Sequence, residues 1–182
     1  PELQAQARQM YWPYSTNEHY IVAHGGSSFG SPAFSPRTEL LYVTGKNAAV
    51  SLTVKPVGDS LEAGPDSRGH TENFEELSRI PSYTPSTAIT AYDPVSGEEQ
   101  WQQVLPALTS IAASGNLVTA GDIVLQGTDD GSFYALHAAT GEQLFQYSAS
   151  RPIRSSPITY EISGKQYISV VATNTVIAFA LP

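Results

Sequence analysis

The sequence predicts an all-β fold assembled from repeated antiparallel sheets, and three observations carry that prediction. A strand-like block occurs at residues 89–101 and again at residues 133–145, an offset of 44 residues. The chain has 14 Gly and 13 Pro among 182 residues, which fits many short strands joined by turns. With 41% hydrophobic and 14% charged residues, it can bury a core. Self-similarity at about 40–45 residues is typical of β-propeller blades.

The two copies of the block share a small residue, a turn and a ring at fixed spacing. The matched positions are Ala91, Gly97, Glu98 and Trp101 in the first copy and Ala135, Gly141, Glu142 and Phe145 in the second. A strand ends, a glycine able to adopt positive φ follows in the turn, and the next strand delivers a large ring. We expect the ring to pack against the small alanine on an adjoining blade. The block is therefore interpreted as a packing device and not as a catalytic motif.

The individual strands are predicted in chain order from apolar runs bounded by turn residues. The first part of the chain gives strands at residues 20–23, 33–34, 40–44 and 50–54, with Pro36 in a turn whose φ a proline presets. From residue 88 the pattern is regular, with strands at residues 88–93, 99–104, 122–126, 132–137, 143–147, 156–161, 166–172 and 175–180. Asp130-Gly131 and Ser163-Gly164 suit tight hairpins. No long helix is predicted, and residues 107–121 are a stretch of small residues without an assigned strand.

Together these elements predict an all-β partial β-propeller of about three to four four-stranded antiparallel blades with W-type docking repeats. Residues 1–182 are expected to form a single partial propeller domain, the C-terminal region of a larger protein, because a propeller normally has about four to eight blades. Residues 55–87 are polar and rich in turn residues, and they are predicted to be a long inter-strand insertion. Within it, Asn73–Glu76 has the pattern of a capped helical turn.

Composition and charge exclude several classes of function. The formal net charge is −8, so most of the surface would repel a polyanion and nucleic acid is not an expected partner. There is no cysteine, which removes disulfide and thiolate chemistry. No apolar run reaches about 18 residues, so no membrane span is expected. The four histidines, His19, His24, His70 and His137, lack metal-ligand spacing, and no hydrolase triad order or phosphate-binding loop occurs.

Several segments, in order, resemble the pyrroloquinoline-quinone (PQQ) propellers. The repeated block resembles their tryptophan-docking motif, Ala-x-Asp-x-x-Ser/Thr-Gly-x-x-x-Trp. Residues 117–131 resemble the family's run L-x-T-A-G-x-x-V-x-x-G-T-x-D-G, residues 156–168 resemble S-P-x-T-Y followed by G-K-Q-Y, and residues 25–43 resemble a Gly-Gly segment ending in L-L-Y-V. The resemblance covers residues 20–50 and 88–180. Several motifs in the right order are more specific than any one of them.

This resemblance implies the C-terminal part of an eight-bladed, periplasmic quinoprotein dehydrogenase that oxidises an alcohol or a sugar. In that family PQQ accepts a hydride equivalent, Ca²⁺ or a lanthanide polarises the quinone, and electrons leave toward cytochrome c or ubiquinone. The family's metal ligands and its catalytic Asp lie N-terminal to the segments matched here. No catalytic and no metal-binding residue is therefore assigned in this chain. PQQ and the metal are expected in the full-length parent, and the segment alone is predicted to be inactive.

Two cofactor-contacting positions of the family can be aligned with this chain. In the Gly-Gly segment the family carries a polar residue that contacts the quinone, followed by Trp, and this chain has Ser28 and Phe29 there. Many relatives place a Trp beneath PQQ where this chain has Ala113, and the nearby Asn116 could still hydrogen-bond a carbonyl. Ser28, Phe29 and Asn116 are the candidate cofactor-binding residues. The alternative is that they are ordinary loop residues.

The remaining polar residues of the repeat have a structural interpretation. Asp93, Asp129 and Asp130 lie in turns and are predicted to be turn formers, and His137 takes the place of the repeat's Asp. A second hypothesis for the chain is a non-catalytic propeller used as a scaffold or assembly protein, which the missing Trp at Ala113 favours. Upstream metal-binding positions would distinguish the two. A partial propeller also exposes unpaired blade flanks, so self-association is expected.

Overall fold

The computed structural model describes residues 19–21, 30–47, 50–56, 70–76, 86–105 and 114–180. These residues form β-strands joined by turns and irregular segments, and none of them is helical. The strands are β1 His19–Ile21, β2 Ala33–Ser35, β3 Leu40–Asn47, β4 Val50–Pro56, β5 His70–Glu76, β6 Ser86–Tyr92, β7 Glu99–Leu105, β8 Asn116–Val118, β9 Ile123–Gly127, β10 Ser132–His137, β11 Gln143–Ser148, β12 Ile158–Ile162, β13 Lys165–Ala172 and β14 Thr175–Ala180.

The described strands pair antiparallel and belong to two compact units. One unit contains a three-stranded sheet in the order β1-β4-β5. The other contains two four-stranded sheets, β2-β3-β6-β7 and β11-β10-β9-β8, and a three-stranded sheet, β12-β13-β14. Successive antiparallel sheets of three to four strands confirm the predicted all-β fold class. The sheets do not close into a complete ring within the described residues.

Strands β3 and β6 pair with each other although residues 48–85 lie between them in the sequence. Their ladder pairs Leu41 with Tyr92 at one end and Asn47 with Ser86 at the other. Strands β4 and β5, which lie in the intervening sequence, belong to the other compact unit. The limits predicted for the insertion, residues 55–87, and the single-domain assignment stay predictions.

Strands β9 and β10 of the sheet β11-β10-β9-β8 are buried between two apolar cores. One core contains Tyr42, Ile89, Ala91, Leu105, Val124, Tyr134, Leu136 and Ala138. The other contains Leu125, Phe133, Ala135, Ile153, Ile168, Val170 and Ala172. Because successive side chains of a strand point to opposite faces, neighbouring residues of β9 and β10 enter different cores. This is why Ser132–His137 is almost continuously buried and does not alternate between core and solvent.

The ring of the first repeat docks on the sheet that follows it in sequence. Trp101 Nε1 donates a hydrogen bond to the carbonyl oxygen of Ala138 at 2.9 Å. A Cβ placed on Gly141 would lie 2.5 Å from Trp101 Cε3, so the ring rests on the glycine. Ala91, in contrast, is the cross-strand partner of Trp101 within its own sheet. Docking on the adjoining sheet is confirmed, but the receiving small residue is Gly141 and not the predicted Ala135.

The second copy of the repeat sends its ring to the next sheet in the same way. The ring centroid of Phe145 lies 5.9 Å from that of Phe179 on β14, in edge-on geometry. Phe133 stacks on the same ring at a centroid distance of 5.3 Å. Edge-on and stacked pairs of this kind are favourable arrangements of aromatic rings. The repeat is therefore a sheet-to-sheet connector in both copies.

Two predictions of local structure are wrong. Asn73–Glu76 is not a helical turn but the end of β5, where Phe74 pairs with Leu52 on β4. The ladder with a neighbouring strand overrides the local capping pattern. Within residues 107–121, Asn116–Val118 form strand β8, which pairs with β9. Its three residues are too few to produce a recognisable period.

Candidate functional site

Asn116 is the candidate cofactor-binding residue that lies in the described part of the chain. Ser28 and Phe29 fall outside the described residues, as does Ala113. Asn116 is the first residue of β8, and its backbone N–H donates to the carbonyl oxygen of Ser31 at 3.0 Å. This bond ties β8 to the segment that leads into β2.

Three segments of the chain meet beside Asn116. A Cβ placed on Gly115 would lie 2.9 Å from the backbone nitrogen of Ser31, and Ser156 Oγ is also in its way. Ser114 Oγ donates to the carbonyl oxygen of Ser155 at 2.6 Å. The segments leading into β2, β8 and β12 therefore approach one place, and only a residue without a side chain fits at position 115.

The Asn116 side chain belongs to a buried polar network with Thr44 and Gln126. The Thr44 hydroxyl oxygen lies 2.5 Å from Asn116 Oδ1 and 2.7 Å from Gln126 Oε1. Gln126 Nε2 donates to the carbonyl oxygens of Ser114 and Gly127, at 3.1 and 2.6 Å. Thr44, Asn116 and Gln126 are 2%, 7% and 1% exposed. The network therefore links β3, β8 and β9 away from water.

This network is one hydrogen-bond partner short. A hydroxyl group has one proton, so Thr44 donates to Asn116 or to Gln126 but not to both. Asn116 Nδ2 is buried and has no partner among the described residues. Turning the Asn116 amide would let Nδ2 donate to Thr44 and would leave Oδ1 unpaired instead. In either orientation the Asn116 side chain keeps one polar atom that the network does not use.

Asp93 and Asp130 are turn formers, as predicted. Asp93 Oδ1 accepts hydrogen bonds from the backbone N–H groups of Val95 and Ser96, at 2.7 and 3.2 Å. These bonds hold the pKa of Asp93 below its ordinary value. Asp130 Oδ1 accepts from the backbone N–H of Ser132 at 3.0 Å. Both carboxylates are engaged by their own turns.

Asp129 lies in the turn between β9 and β10, as predicted, but its side chain has a further role. Its side chain is 2% exposed, and its Oδ1 accepts a hydrogen bond from Arg154 Nε at 2.6 Å. The carboxylate raises the pKa of Arg154 above the ordinary value, chiefly through this hydrogen bond. Asp129 Oδ2 is buried without a partner among the described residues. Asp129 is therefore a turn residue whose buried carboxylate also anchors an arginine.

His137 is the last residue of β10, and its backbone groups begin the turn that follows. Its backbone N–H donates to the carbonyl oxygen of Glu142 at 2.8 Å, and its own carbonyl oxygen accepts from Gly141 at 2.8 Å.

Across the described ranges, no group of three or more His, Cys, Asp or Glu side chains is placed to hold a metal ion. The same part of the chain has no helix with the length and hydropathy needed to cross a bilayer.

Two features of this region were not predicted from the sequence. The first is the buried network in which Asn116 joins Thr44 and Gln126. Gln126 carried a detectable signal, because an amide inside the apolar strand Ile123–Gly127 indicates a buried hydrogen-bonding role. The other is the Asp129–Arg154 pair. Its two members are 25 residues apart, and no spacing rule connects them.

Aromatic rings link each antiparallel sheet to the sheet that follows it, and a buried polar network joins β3, β8 and β9. These features define a propeller-type protein built from docking repeats. Residues 85–181, more than half of the chain, match the PQQ_2 family model, described as outer membrane protein assembly factor BamB. The chain belongs to this family of PQQ-type repeats.

Known proteins with this similarity include PQQ-type alcohol dehydrogenases, which confirms the resemblance stated from the motifs. Quinohemoprotein alcohol dehydrogenase from Comamonas testosteroni is 32% identical over 154 residues, covering 81% of this chain and 21% of the relative. A crystal structure of that enzyme superposes with a TM-score of 0.70 at 30% identity, over 87% of this chain and 24% of the other. The 1-butanol dehydrogenase (cytochrome c) of Thauera butanivorans is 30% identical over 163 residues, covering 87% of this chain and 23% of the relative.

A europium-containing methanol dehydrogenase has a similar structure, with a TM-score of 0.62 at 28% identity over 78% of this chain and 24% of that one. The chain therefore spans about one fifth to one quarter of the length of the relatives it matches.

Proposed function

We propose that this chain is a propeller segment of a PQQ-dependent dehydrogenase that oxidises a small alcohol. The observation that carries the proposal is the match to the Comamonas testosteroni enzyme over 81% of this chain in sequence and 87% in structure. The site adds support. Segments that resemble the quinoprotein motifs, those around Ser31 and Asn116, are tied together by a direct backbone hydrogen bond.

The described residues fit a share in cofactor binding. The unused polar atom of the Asn116 amide is the kind of group that an oxygen of bound PQQ would engage, and Ser28 and Phe29 would add a hydroxyl and an apolar ring. Within the described ranges no acidic cluster is placed for Ca²⁺ or a lanthanide, so the proposal assigns those ligands to the rest of the parent protein. PQQ supplies the redox chemistry when bound. The part proposed for this chain is to hold its segments in place around it.

Substrate, acceptor and compartment are part of the same proposal. Relatives named for 1-butanol and for methanol favour a small alcohol over a sugar. The name of the 1-butanol enzyme also specifies cytochrome c, which favours cytochrome c over ubiquinone as acceptor. We assign Ca²⁺ or a lanthanide as the metal and the periplasm as the compartment.

The experiment compares the 182-residue chain with the product of its complete open reading frame. Each is incubated with PQQ and either Ca²⁺ or a lanthanide, and dye reduction is measured with 1-butanol and with glucose. The complete protein is expected to reduce the dye with 1-butanol, and the 182-residue chain is expected to be inactive. Turnover by the shorter chain would place the metal ligands within it and would contradict the proposed division of roles.

A second function, a non-catalytic scaffold, is favoured by two observations. The family model that matches residues 85–181 is described by an assembly factor, and Ala113 stands where many quinoproteins have a Trp. A titration of the complete protein with PQQ, followed by quinone absorbance, separates the two functions. A saturable spectral change supports the dehydrogenase, and its absence supports the scaffold.

A further inference from the structure

We propose that the cavity beside Arg154 is a binding site for a small organic carboxylate. The cavity has a volume of about 280 Å³ and is lined by Pro152, Arg154, Ser155, Val171 and Thr173. About nine water molecules, at about 30 Å³ each, would fill such a volume. A short-chain carboxylic acid fits this space. The inference does not depend on the proposed oxidation of alcohols.

The walls of the cavity are held by hydrogen bonds between two segments of the chain. The backbone N–H of Thr173 donates to the carbonyl oxygen of Pro152 at 3.0 Å. The backbone N–H of Val171 donates to Ser155 Oγ at 2.8 Å. The segment before β12 is therefore fastened to the hairpin between β13 and β14. A cavity formed in this way needs little ordering when a ligand enters, which favours binding.

Arg154 is the charged group of the cavity, and a buried carboxylate holds it in position. Its Nε donates to Asp129 Oδ1 at 2.6 Å, and the Asp129 side chain is 2% exposed. This contact uses one of the five N–H groups of the guanidinium. The two Nη groups have no partner among the described residues, and the Arg154 side chain as a whole is 54% exposed. A buried anchor thus holds an arginine whose two Nη groups are not used by any residue in the described part of the chain.

The two Nη groups of Arg154 determine which class of ligand the cavity can bind. A guanidinium donates parallel hydrogen bonds to both oxygens of a carboxylate, a geometry that an ammonium group cannot supply. Pro152 and Val171 contribute aliphatic surface for a small apolar body, and the net charge of −8 disfavours a doubly charged anion such as phosphate. Because Asp129 already balances the charge of Arg154, binding depends on this paired geometry more than on attraction at a distance.

The test is an NMR titration of the ¹⁵N-labelled chain with sodium isobutyrate at constant ionic strength. Isobutyramide, which has the same shape without the charge, is the ligand control. We expect saturable shifts for Ser155 and Thr173 with the carboxylate, and none with the amide. The variant Arg154→Gln is expected to weaken binding about ten- to a hundred-fold, the size typical of charge-assisted hydrogen bonds.

Two further variants complete the test. Arg154→Lys retains a charge beside the buried Asp129 and is expected to weaken binding at least about fivefold, because the fork is lost. Arg154→Lys also tests the proposal if Arg154→Gln fails to fold. Arg37→Gln removes an arginine whose Nε and Nη2 are both engaged by Asp122, at 2.9 and 3.1 Å, and should leave binding unchanged. The absence of saturable shifts, an equal response to isobutyramide, full binding by Arg154→Lys or an equal loss in Arg37→Gln would each overturn the proposal.

Discussion

Gly97 and Gly141 occupy the same position of the repeat and the same backbone conformation, but their surroundings differ. Their φ angles are 75° and 73°, in the left-handed region that favours glycine. A Cβ on Gly97 would meet no atom within 4 Å, whereas a Cβ on Gly141 would meet Trp101 at 2.5 Å. The pair therefore separates the conformational requirement of the turn from the packing requirement of the docked ring.

The first prediction follows from this pair. Gly97→Ala should cost about 1–2 kcal/mol, because only the left-handed conformation is penalised. Gly141→Ala should cost about 2–5 kcal/mol in all, because overpacking against the indole adds about 1–3 kcal/mol to the conformational cost. Urea denaturation of the two variants beside the parent chain measures both values. Equal losses in the two variants would show that the ring yields and does not depend on the glycine.

The second prediction concerns the exposed pair of Arg37 and Asp122. Hydrogen bonds from Arg37 hold the pKa of Asp122 below its ordinary value. A carboxylate with a lowered pKa in the folded state stabilises the protein above its unfolded pKa of about 3.9, and this contribution disappears as the pH falls through the folded pKa. The parent chain should therefore lose more stability on acidification below about pH 4 than Asp122→Asn does.

Thermal unfolding across this pH range, at low salt and again at high salt, measures the difference. Glu142→Gln, at a carboxylate without an ion pair in the described structure, is the matched control and should follow the parent chain. If the unfolding temperatures of the parent chain and Asp122→Asn fell equally with pH, the Arg37–Asp122 pair would make no contribution to stability. High salt should reduce the difference, because exposed charges are screened.

At the scale of the strand, a polar connection crosses three elements. Thr44 on β3 joins Asn116 on β8 and Gln126 on β9 through one hydroxyl group. Thr87 on β6 is equally buried, at 1% exposure, but its hydroxyl has no partner among the described residues. Two threonines of the same sheet thus differ in whether their hydroxyl group is used.

The third prediction is that the two threonines respond oppositely to removal of the hydroxyl. Thr44→Val should cost about 1–3 kcal/mol, because it leaves buried amide groups without a partner. Thr87→Val should be neutral or stabilising by up to about 1 kcal/mol, because it removes an unsatisfied buried hydroxyl. Chemical denaturation of each variant gives the free energies of unfolding. A stabilised Thr44→Val would mean that the network does not hold β3, β8 and β9 together.

The strands and the repeat could be predicted from sequence where local signals were strong. Ser132–His137 is a strand both in the prediction and in the structure, because an apolar run follows an Asp-Gly turn. Strand β5 could not be predicted, because it exists through its pairing with β4. The docking partner of Trp101 was misassigned because Ala135 lies opposite Phe145 within its own sheet, a register that the repeat alone does not specify.

The candidate site was predictable only in part, for a similar reason. Asn116 was found through a family motif, but its partner Thr44 lies 72 residues away on another sheet. Long-range hydrogen bonds of this kind follow from the arrangement of the sheets and not from spacing. The Asp129–Arg154 pair is of the same type, and a turn-like Asp-Asp-Gly segment concealed a buried anchor.

At the scale of the molecule, two edge strands differ from the inner strands of the sheets. Strands β9 and β10 are covered on both faces, whereas the edge strands β11 and β12 are exposed along their whole lengths. Large apolar side chains are among the exposed residues, including Ile158 at 57% and Ile162 at 56%. Exposed apolar surface on strands with unpaired edges favours association.

The fourth prediction is that the isolated chain self-associates through this surface. The weight-average mass from sedimentation should rise with concentration, and Ile158→Lys should reduce the rise because it places a charge on the exposed strand. Val95→Lys is the matched control, since Val95 is 95% exposed but lies in a turn. A monomeric mass at all concentrations, or an equal effect of both variants, would show that this strand is not the contact.

Strands β3 and β6 complete their ladder across a long detour of the chain, with Asn47 directly opposite Ser86. The entropy of closing a loop grows only with the logarithm of its length, so this ladder gains little from a short connection and loses little from a long one. The junction is therefore a natural grafting point. Replacing residues 48–85 with an Asn-Gly dipeptide should leave the thermal transition of the three propeller-type sheets in place, and whole modules can be exchanged at this junction without redesigning those sheets.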